Sequence, residues 1–541
     1  MPKKDRSRLI DFKIIPILGR KTDVPADDPS LFRFIGENVA ETHDVGGLNF
    51  DLNRKRRACT KSYGYTEWST SATSQATKCL GLFELYDGSN RDHIFFDNGK
   101  CYVYDSSLDP QLTEDSESTT FATDNVDLYS IIKVGSYMVF ADRAEHTPYK
   151  WKNGDANLTK LCASGTEYKF RYLVSFARRV IGLYSDQTDG NIDIRYSTDW
   201  PTTAITSLNY PAANQLWVPN DDPITGGATM GMDRCFIYCE DSIQQLVYYP
   251  DYVAPFRAYT IVPHQGSVNH HSIVALGDRH YLFNKNYGFC EYRGGNQFPY
   301  GGKPISNDIE SDILEIASDY YNIIVGTFVP FTREVVWTVP MGGYSIPTHL
   351  LFYNIDTGQW RFEDKAMRYV DHWRMYGSYT WNDFITDLGG TEAVWTSAGT
   401  NTWAYYTSMR ERLVYANTDG KLYYQDSEAL NGSALDGYRI EPVLDFGDAK
   451  REDLLSEIWF DLAISGNYSI HNYHRSGDTL GEVEGASWTA LDTLSHYSPA
   501  LPKINVGKTN RLHQIKWRTD AANEKFQVNG ITFRFEPQRV N

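Results

Sequence analysis

A short unit returns five times through the middle of this chain of 541 residues, and its spacing limits the folds open to it. The unit is an apolar residue, a tight turn and an apolar strand. It reads Ile132-Lys-Val-Gly-Ser-Tyr-Met-Val-Phe140, then Val174-Ser-Phe-Ala-Arg-Arg-Val-Ile-Gly182. It returns as Thr229-Met-Gly-Met-Asp-Arg-Cys-Phe-Ile-Tyr238, Val274-Ala-Leu-Gly-Asp-Arg-His-Tyr-Leu-Phe283 and Phe328-Val-Pro-Phe-Thr-Arg-Glu-Val-Val-Trp337. The turns at Gly135, Ala177, Met232, Gly277 and Phe331 are 42, 55, 45 and 54 residues apart. A four-stranded propeller blade takes about 40–50 residues. Looser copies lie at Asp92 to Tyr104 and at Arg410 to Tyr424. Further hairpin signals stand at Asp97-Asn-Gly99, Lys285-Asn-Tyr-Gly288, Asp356-Thr-Gly358 and Thr418-Asp-Gly420, where Asn and Gly supply the positive φ that such turns need. One blade cannot bury both faces of its sheet; radial stacking does so and leaves only short edges.

Three divisions follow. Residues 1–77 read as an extended N-terminal arm with first strands, and 78–435 as a six- or seven-bladed β-propeller with a long-loop insertion at about 362–405. Residues 436–541 read as a C-terminal β-sandwich or jelly roll, because Phe526-Gln-Val-Asn-Gly-Ile-Thr-Phe-Arg-Phe535 alternates apolar and polar residues. The expected class is all-β, in keeping with 14% aromatic residues, a type that suits half-buried pleated surfaces. One short helix is expected over Ile309 to Tyr320.

Charge and cysteine usage narrow the function classes. A net charge of −17 argues against a protein that grips nucleic acid over its whole surface. No apolar run reaches the roughly 18 residues of a membrane span, and Met1 to Arg8 is basic without an apolar stretch behind it, so neither membrane insertion nor a signal peptide is expected. Seven cysteines, none after Cys290, read as reduced thiols of a chain made in the cytoplasm, and the three Asn-x-Ser/Thr triplets then carry no glycan.

Catalytic motifs are missing: the sequence holds no Walker loop, no Gly-x-Gly-x-x-Gly, no His-Glu-x-x-His and no Gly-x-Ser-x-Gly. Cys235 and Cys239 fall on one strand about 13 Å apart, too far to share a zinc ion. His270 and His271, if on a strand, face opposite ways. Glu240-Asp241 and Asp221-Asp222 are acidic pairs, and Tyr196-Ser-Thr-Asp-Trp200 is a partial match to a sialidase aspartate box without its glycine. No catalytic residue, metal site or cofactor is expected. Two features suit assembly contacts. One is the basic run Arg54, Lys55, Arg56 and Arg57, which is otherwise a solvated turn. The other is the aromatic stretch holding Trp373, Tyr376, Trp381, Trp395 and Trp403, which is otherwise blade core.

The order of several segments resembles the tail nozzle, or tail-stabilisation, proteins of short-tailed bacteriophages. These segments are Ala40-Glu-Thr-His-Asp-Val-Gly-Gly-Leu-Asn-Phe-Asp-Leu-Asn-Arg-Lys-Arg-Arg57, Tyr63-Gly-Tyr65, Gly81 to Tyr86, Ile94 to Tyr104 and Ile192-Asp-Ile-Arg-Tyr-Ser197. The best matches are Pro223-Ile-Thr-Gly-Gly through Ile243, and Gly266-Ser-Val-Asn-His-His-Ser-Ile273 through Gly295. The resemblance implies a structural virion protein and no enzyme. It implies a homo-oligomeric ring of six copies below the portal and adaptor proteins, holding tail fibres or spikes, with genomic DNA sliding through. The alternative is a glycan-binding or glycan-cleaving propeller that recognises a receptor. Reversing all four charges of Arg54 to Arg57 is expected to block incorporation into particles while the subunit stays folded, measured by the protein content of purified particles.

Overall fold

The computed structural model describes residues 9–53, 58–68, 79–87, 91–97, 99–105, 111–115, 121, 128–155, 157–162, 167–200, 208–376, 409–417, 419–425, 434–446, 451–464, 468–495, 502–521, 524 and 526–538. Among the described residues seven small antiparallel sheets follow one another, and together they form a β-propeller. Their innermost strands are Cys79–Tyr86, Ser130–Val134, Phe170–Phe176, Ile224–Met230, Val274–Leu276, Val325–Val329 and Tyr369–Tyr376. Each innermost strand packs beside the next, and Tyr369–Tyr376 packs beside Cys79–Tyr86, so the ring is closed. The fold is all-β, as the repeat spacing implied.

The five repeated turns are the first hairpin of blades 2 to 6. Gly135 and Gly231 stand at φ 63° and 66°, where glycine bears no Cβ penalty. Blade 3 makes the same turn with Ala177 and Arg178 at φ 49° and 57°. The looser copies are the second hairpins of blades 1 and 7, which explains their poor match. Blade 5 has three strands, and its fourth position is taken by short helical turns from Tyr300 to Ile323. The helix expected over 309–320 is one turn, Glu310–Ile313, flanked by 3-10 segments, because Ile309 and Ile316 bury against the sheet from a bent chain.

Ring closure draws on a strand from far upstream. Blade 7 takes its outer strand from Tyr65–Glu67, which pairs with Leu422–Gln425 before the chain enters blade 1. Tyr65 packs on Tyr423 at a ring separation of 5.0 Å, and Lys421 meets Glu67 at 2.8 Å.

The rest of the chain forms a two-sheet sandwich. One sheet runs Phe32–Gly36, Val39–Thr42, Ile10–Ile15, Phe526–Pro537, Asp453–Ile464, Lys503–Asn510, with Phe50–Asn53 and Ala58–Lys61 attached. The other holds Gly437–Ile440, Leu512–Thr519 and Ser469–Gly477. Between them lie Ile14, Phe50, Ile458, Phe460, Trp517 and Phe533. Ile10–Ile15, Phe32–Gly36, Val39–Thr42, Phe50–Asn53 and Ala58–Lys61, expected within an extended arm, are therefore strands of this sandwich. The cause is visible in Ile10-Asp-Phe-Lys-Ile: Ile14 is fully buried while Asp11 and Lys13 reach Arg534 and Asp461 at 2.8 and 3.2 Å. The propeller is thus an insertion between two halves of the sandwich.

Buried charge joins the two. Arg361, on the outer strand Gln359–Glu363 of blade 6, donates to Glu334 at 2.9 and 3.0 Å and to Glu363 at 2.5 Å. It also meets Asp51 of the sandwich at 2.8 Å. Its guanidinium lies 3.6 Å over the Phe352 ring. Lys365 pairs with Glu363 and donates to the Tyr63 carbonyl at 2.7 Å. Burial pushes the Asp51 carboxyl up to about 6, against the pull of Arg361. Gly19 lets the backbones touch: a Cβ there would lie 2.6 Å from the Trp360 carbonyl oxygen. Two outcomes are expected. Tyr65→Ala costs roughly 2–3 kcal/mol from lost aromatic packing and speeds hydrogen exchange in Leu422–Gln425 but not in Leu512–Thr519. Arg361→Ala strands buried carboxylates and costs about 3–5 kcal/mol, seen as a lower midpoint in thermal unfolding.

Candidate functional site

The propeller axis is where inner strands from different blades face one another, and in this chain it is blocked. The segment Ser267 to Ile273 leaves the outer strand of blade 4 and crosses the axis before entering Val274–Leu276. His270 reaches Ser130 Oγ of blade 2 at 3.2 Å, accepts from the Gly227 N–H of blade 4 at 3.3 Å, and lies 5.2 Å from the Tyr172 ring of blade 3. The His271 carbonyl accepts from Gly326 N–H of blade 6 at 2.8 Å, and its ring stands 6.2 Å from Tyr369 of blade 7. One dipeptide thereby touches five blades. It is not on a strand, as the sequence reading supposed; the rings stand at 81° and 5.2 Å apart.

The inner strands are cut back to admit this plug. A Cβ on Gly226 would lie 2.7 Å from the His270 Cα, the close approach that a glycine inside a strand signals. Asn269 locks the segment: its Nδ2 donates to the Tyr321 and Ile324 carbonyls at 2.6 and 3.1 Å, and its Oδ1 accepts from Ser272 N–H at 2.5 Å. Trp337 Nε1 donates to the Ser272 carbonyl at 3.1 Å.

Two cavities result. On one side, where the inner strands begin, a polar cup of about 390 Å³ is lined by Arg171, Tyr184, Asn191, Thr225, Glu240 and Asn322. On the other, about 270 Å³ is lined mainly by apolar groups such as Leu173, Val174, Ile273 and Val325. His270 and His271 form the wall between them. Their tautomers follow from their partners. His270 Nδ1 accepts from a backbone N–H, so Nε2 carries the proton toward Ser130. Burial depresses both rings, His270 to about 4 and His271 to about 3, so both are neutral near pH 7.

The other sequence candidates fall elsewhere. Cys235 and Cys239 are free, buried thiols in the blade 3–4 core, and burial pushes Cys235 up to about 12. Among the described residues no cluster of three or more His, Cys, Asp or Glu could hold a metal ion. Asp222 accepts from Ser242 Oγ at 2.5 Å, Asp241 pairs with Lys285 at 2.7 Å, and Asp199 pairs with Arg179 at 3.2 Å. Tyr196 is core, against Phe256. Trp373, offered as an assembly contact, is corrected to blade core: it is fully buried, stacks on His93 at 4.8 Å and donates to Asp371 at 2.8 Å. It sits on an inner strand, where apolar bulk fills the gap between blades 7 and 1. Tyr376 ends that strand, and its side chain lies outside the described residues, as do Arg54, Lys55, Arg56, Arg57, Trp381, Trp395 and Trp403. The cup residues carry no motif, since they come from strands, turns and 3-10 segments far apart in sequence; the one local signal is Gly226-Gly227 inside a strand.

These features define a seven-bladed β-propeller, closed by an upstream strand, inserted in a β-sandwich and blocked along its axis. Among solved structures the chain is similar to the β-propeller domain of Cps50 (Swd1) from Myceliophteria thermophila, at 8% identity and a TM-score of 0.37 over 67% of this chain and 100% of that one, a likeness too slight to argue from. No family model and no curated protein matches it.

The axial histidines make stability depend on pH. Each binds its proton more weakly in the fold than in the unfolded chain, where the pKa is about 6.5. The stabilisation is therefore complete above that value and lost as pH falls toward 4. His271→Gln removes one such group, so its Tm deficit relative to the parent is expected to narrow between about pH 7 and pH 4.5.

Proposed function

We propose that this chain is a subunit of a bacteriophage tail nozzle, a virion ring of six copies below the portal and adaptor through which the genome leaves. The observation that carries the reading is where the two best-matching segments meet. Pro223-Ile-Thr-Gly-Gly supplies the cut-back strand, and Gly266-Ser-Val-Asn-His-His-Ser-Ile supplies the plug that fits it. The two best-matching segments thus form one packed unit. A blocked axis also suits a wall element: each copy is solid, and a duplex bore lies between copies. The net charge of −17 fits a wall that repels phosphate and lets DNA slide. The glycan-cleaving alternative called for a deep acidic axial pocket, whereas the cup is lined by one carboxylate, Glu240, together with Arg171. Cleavage of a glycan commonly needs two carboxylates.

The test is a reconstruction of the intact particle. A closed ring of these subunits around the DNA path is the expected outcome. Single copies splayed outward at the tail tip, away from the DNA, would replace the nozzle reading with the receptor-binding one.

A further inference from the structure

The axial cup is built as a binding site, and three independent observations on its walls point to an occupant. First, Tyr184 holds φ 58°. That is left-handed backbone, costly for a bulky residue, and strain of this kind persists where the surroundings impose it, above all at ligand sites. In the pairing of Phe170–Phe176 with Arg179–Ser185 the ladder is interrupted at Arg171 and Tyr184, with the register unchanged on either side. The Tyr184 ring lies 5.2 Å from the Arg171 guanidinium, which also covers Tyr172. Second, the Thr225 hydroxyl is buried with no hydrogen-bond partner, on a residue only 8% exposed that lines the cup. Third, the His271 ring is part of the cup wall and its Nε2 is buried without a hydrogen-bond partner. Buried polar atoms left unsatisfied are rare and call for an explanation.

The lining limits what the occupant can be. Arg171 and Glu240 balance in charge, which disfavours a net anion or cation. Metal chemistry has no ligand set among the described residues. The other polar groups include the amides of Asn191 and Asn322, the hydroxyls of Thr225 and Tyr184 and the neutral rings of His270 and His271, which mix donors and acceptors. Vicinal hydroxyls, each donor and acceptor, match that mixture, and tyrosine rings offer flat apolar faces to a sugar ring. A volume of about 390 Å³ lies in the range of small-ligand pockets.

We infer that the cup binds a neutral sugar residue, held between Tyr184 and Arg171 on one wall and Thr225 and Glu240 on another. Binding is non-covalent and leaves the sugar unchanged. The inference does not depend on the nozzle reading, since it concerns the isolated chain.

The test uses the full chain and titrates glucose, galactose, N-acetylglucosamine and maltose by ligand-observed NMR, with inorganic phosphate as the charged control. At least one sugar is expected to bind. Thr225→Val, nearly the same shape, weakens it about tenfold by removing one hydrogen bond without changing Tm. Tyr184→Gly relieves the strain, so it raises Tm while abolishing binding. Tyr259→Ala, on the outer wall of blade 4, leaves binding unchanged. Absence of binding by all four sugars up to about 10 mM, a range weaker than ordinary recognition, overturns the inference. So does sugar binding indifferent to Thr225→Val and Tyr184→Gly, or phosphate binding in place of sugar.

Discussion

Closure of the ring is the constraint on which the rest depends. Six blades are built from consecutive chain, but the seventh is incomplete until Tyr65–Glu67 returns to Leu422–Gln425. Without that strand, Tyr423 and Leu422 lose their outer cover, and the contact between Tyr369–Tyr376 and Cys79–Tyr86 has nothing behind it. The same strand follows directly on Ala58–Lys61 of the sandwich. Closing the propeller therefore fixes where the N-terminal half of the sandwich ends.

The buried ion cluster around Arg361 sits at that junction. Such clusters add little net stability compared with apolar packing, because desolvation offsets the Coulomb attraction. Their effect is on geometry. Arg361 satisfies carboxylates from its own blade and from Asp51, and Lys365 reaches the Tyr63 carbonyl, so one docking angle pairs every charge. A second cluster does the same inside the sandwich: Arg439 meets Glu441 at 3.0 Å and the Thr42 carbonyl at 2.9 Å, tying the N-terminal segment to the later sheet.

Much of the fold was legible because turns are local. Gly135, Met232 and Gly277 mark hairpins by residue type and spacing alone, and the alternation in Phe526 to Phe535 marks a sandwich strand. What failed to read was everything that depends on partners distant in sequence. Ile10 to Ile15 alternates as a strand, yet one of its two hydrogen-bond partners is Phe526–Pro537, more than five hundred residues away. The blade 7 outer strand is three residues long and too short for any periodicity. Trp373 is chemically the same whether it anchors a partner or fills a gap between blades. The plug and cup were written in Gly226-Gly227 and His270-His271, but close approach of two backbones says nothing about which backbone approaches.

The sandwich's split arrangement also has a temporal consequence. Among the described strands, Ile10–Ile15 is the first made and Phe526–Pro537 the last, and they lie side by side in antiparallel register. On a ribosome adding about 5–20 residues per second, the first strand waits roughly 25–100 s for its neighbour. During that wait the propeller can nucleate blade by blade from adjacent hairpins, while Ile10–Ile15 has only Val39–Thr42 to pair with and its other edge stays open. The nascent chain thus carries a half-paired apolar strand with an open edge until Phe526–Pro537 leaves the exit tunnel, a natural handle for a chaperone and a built-in delay between making a subunit and having one fit to assemble.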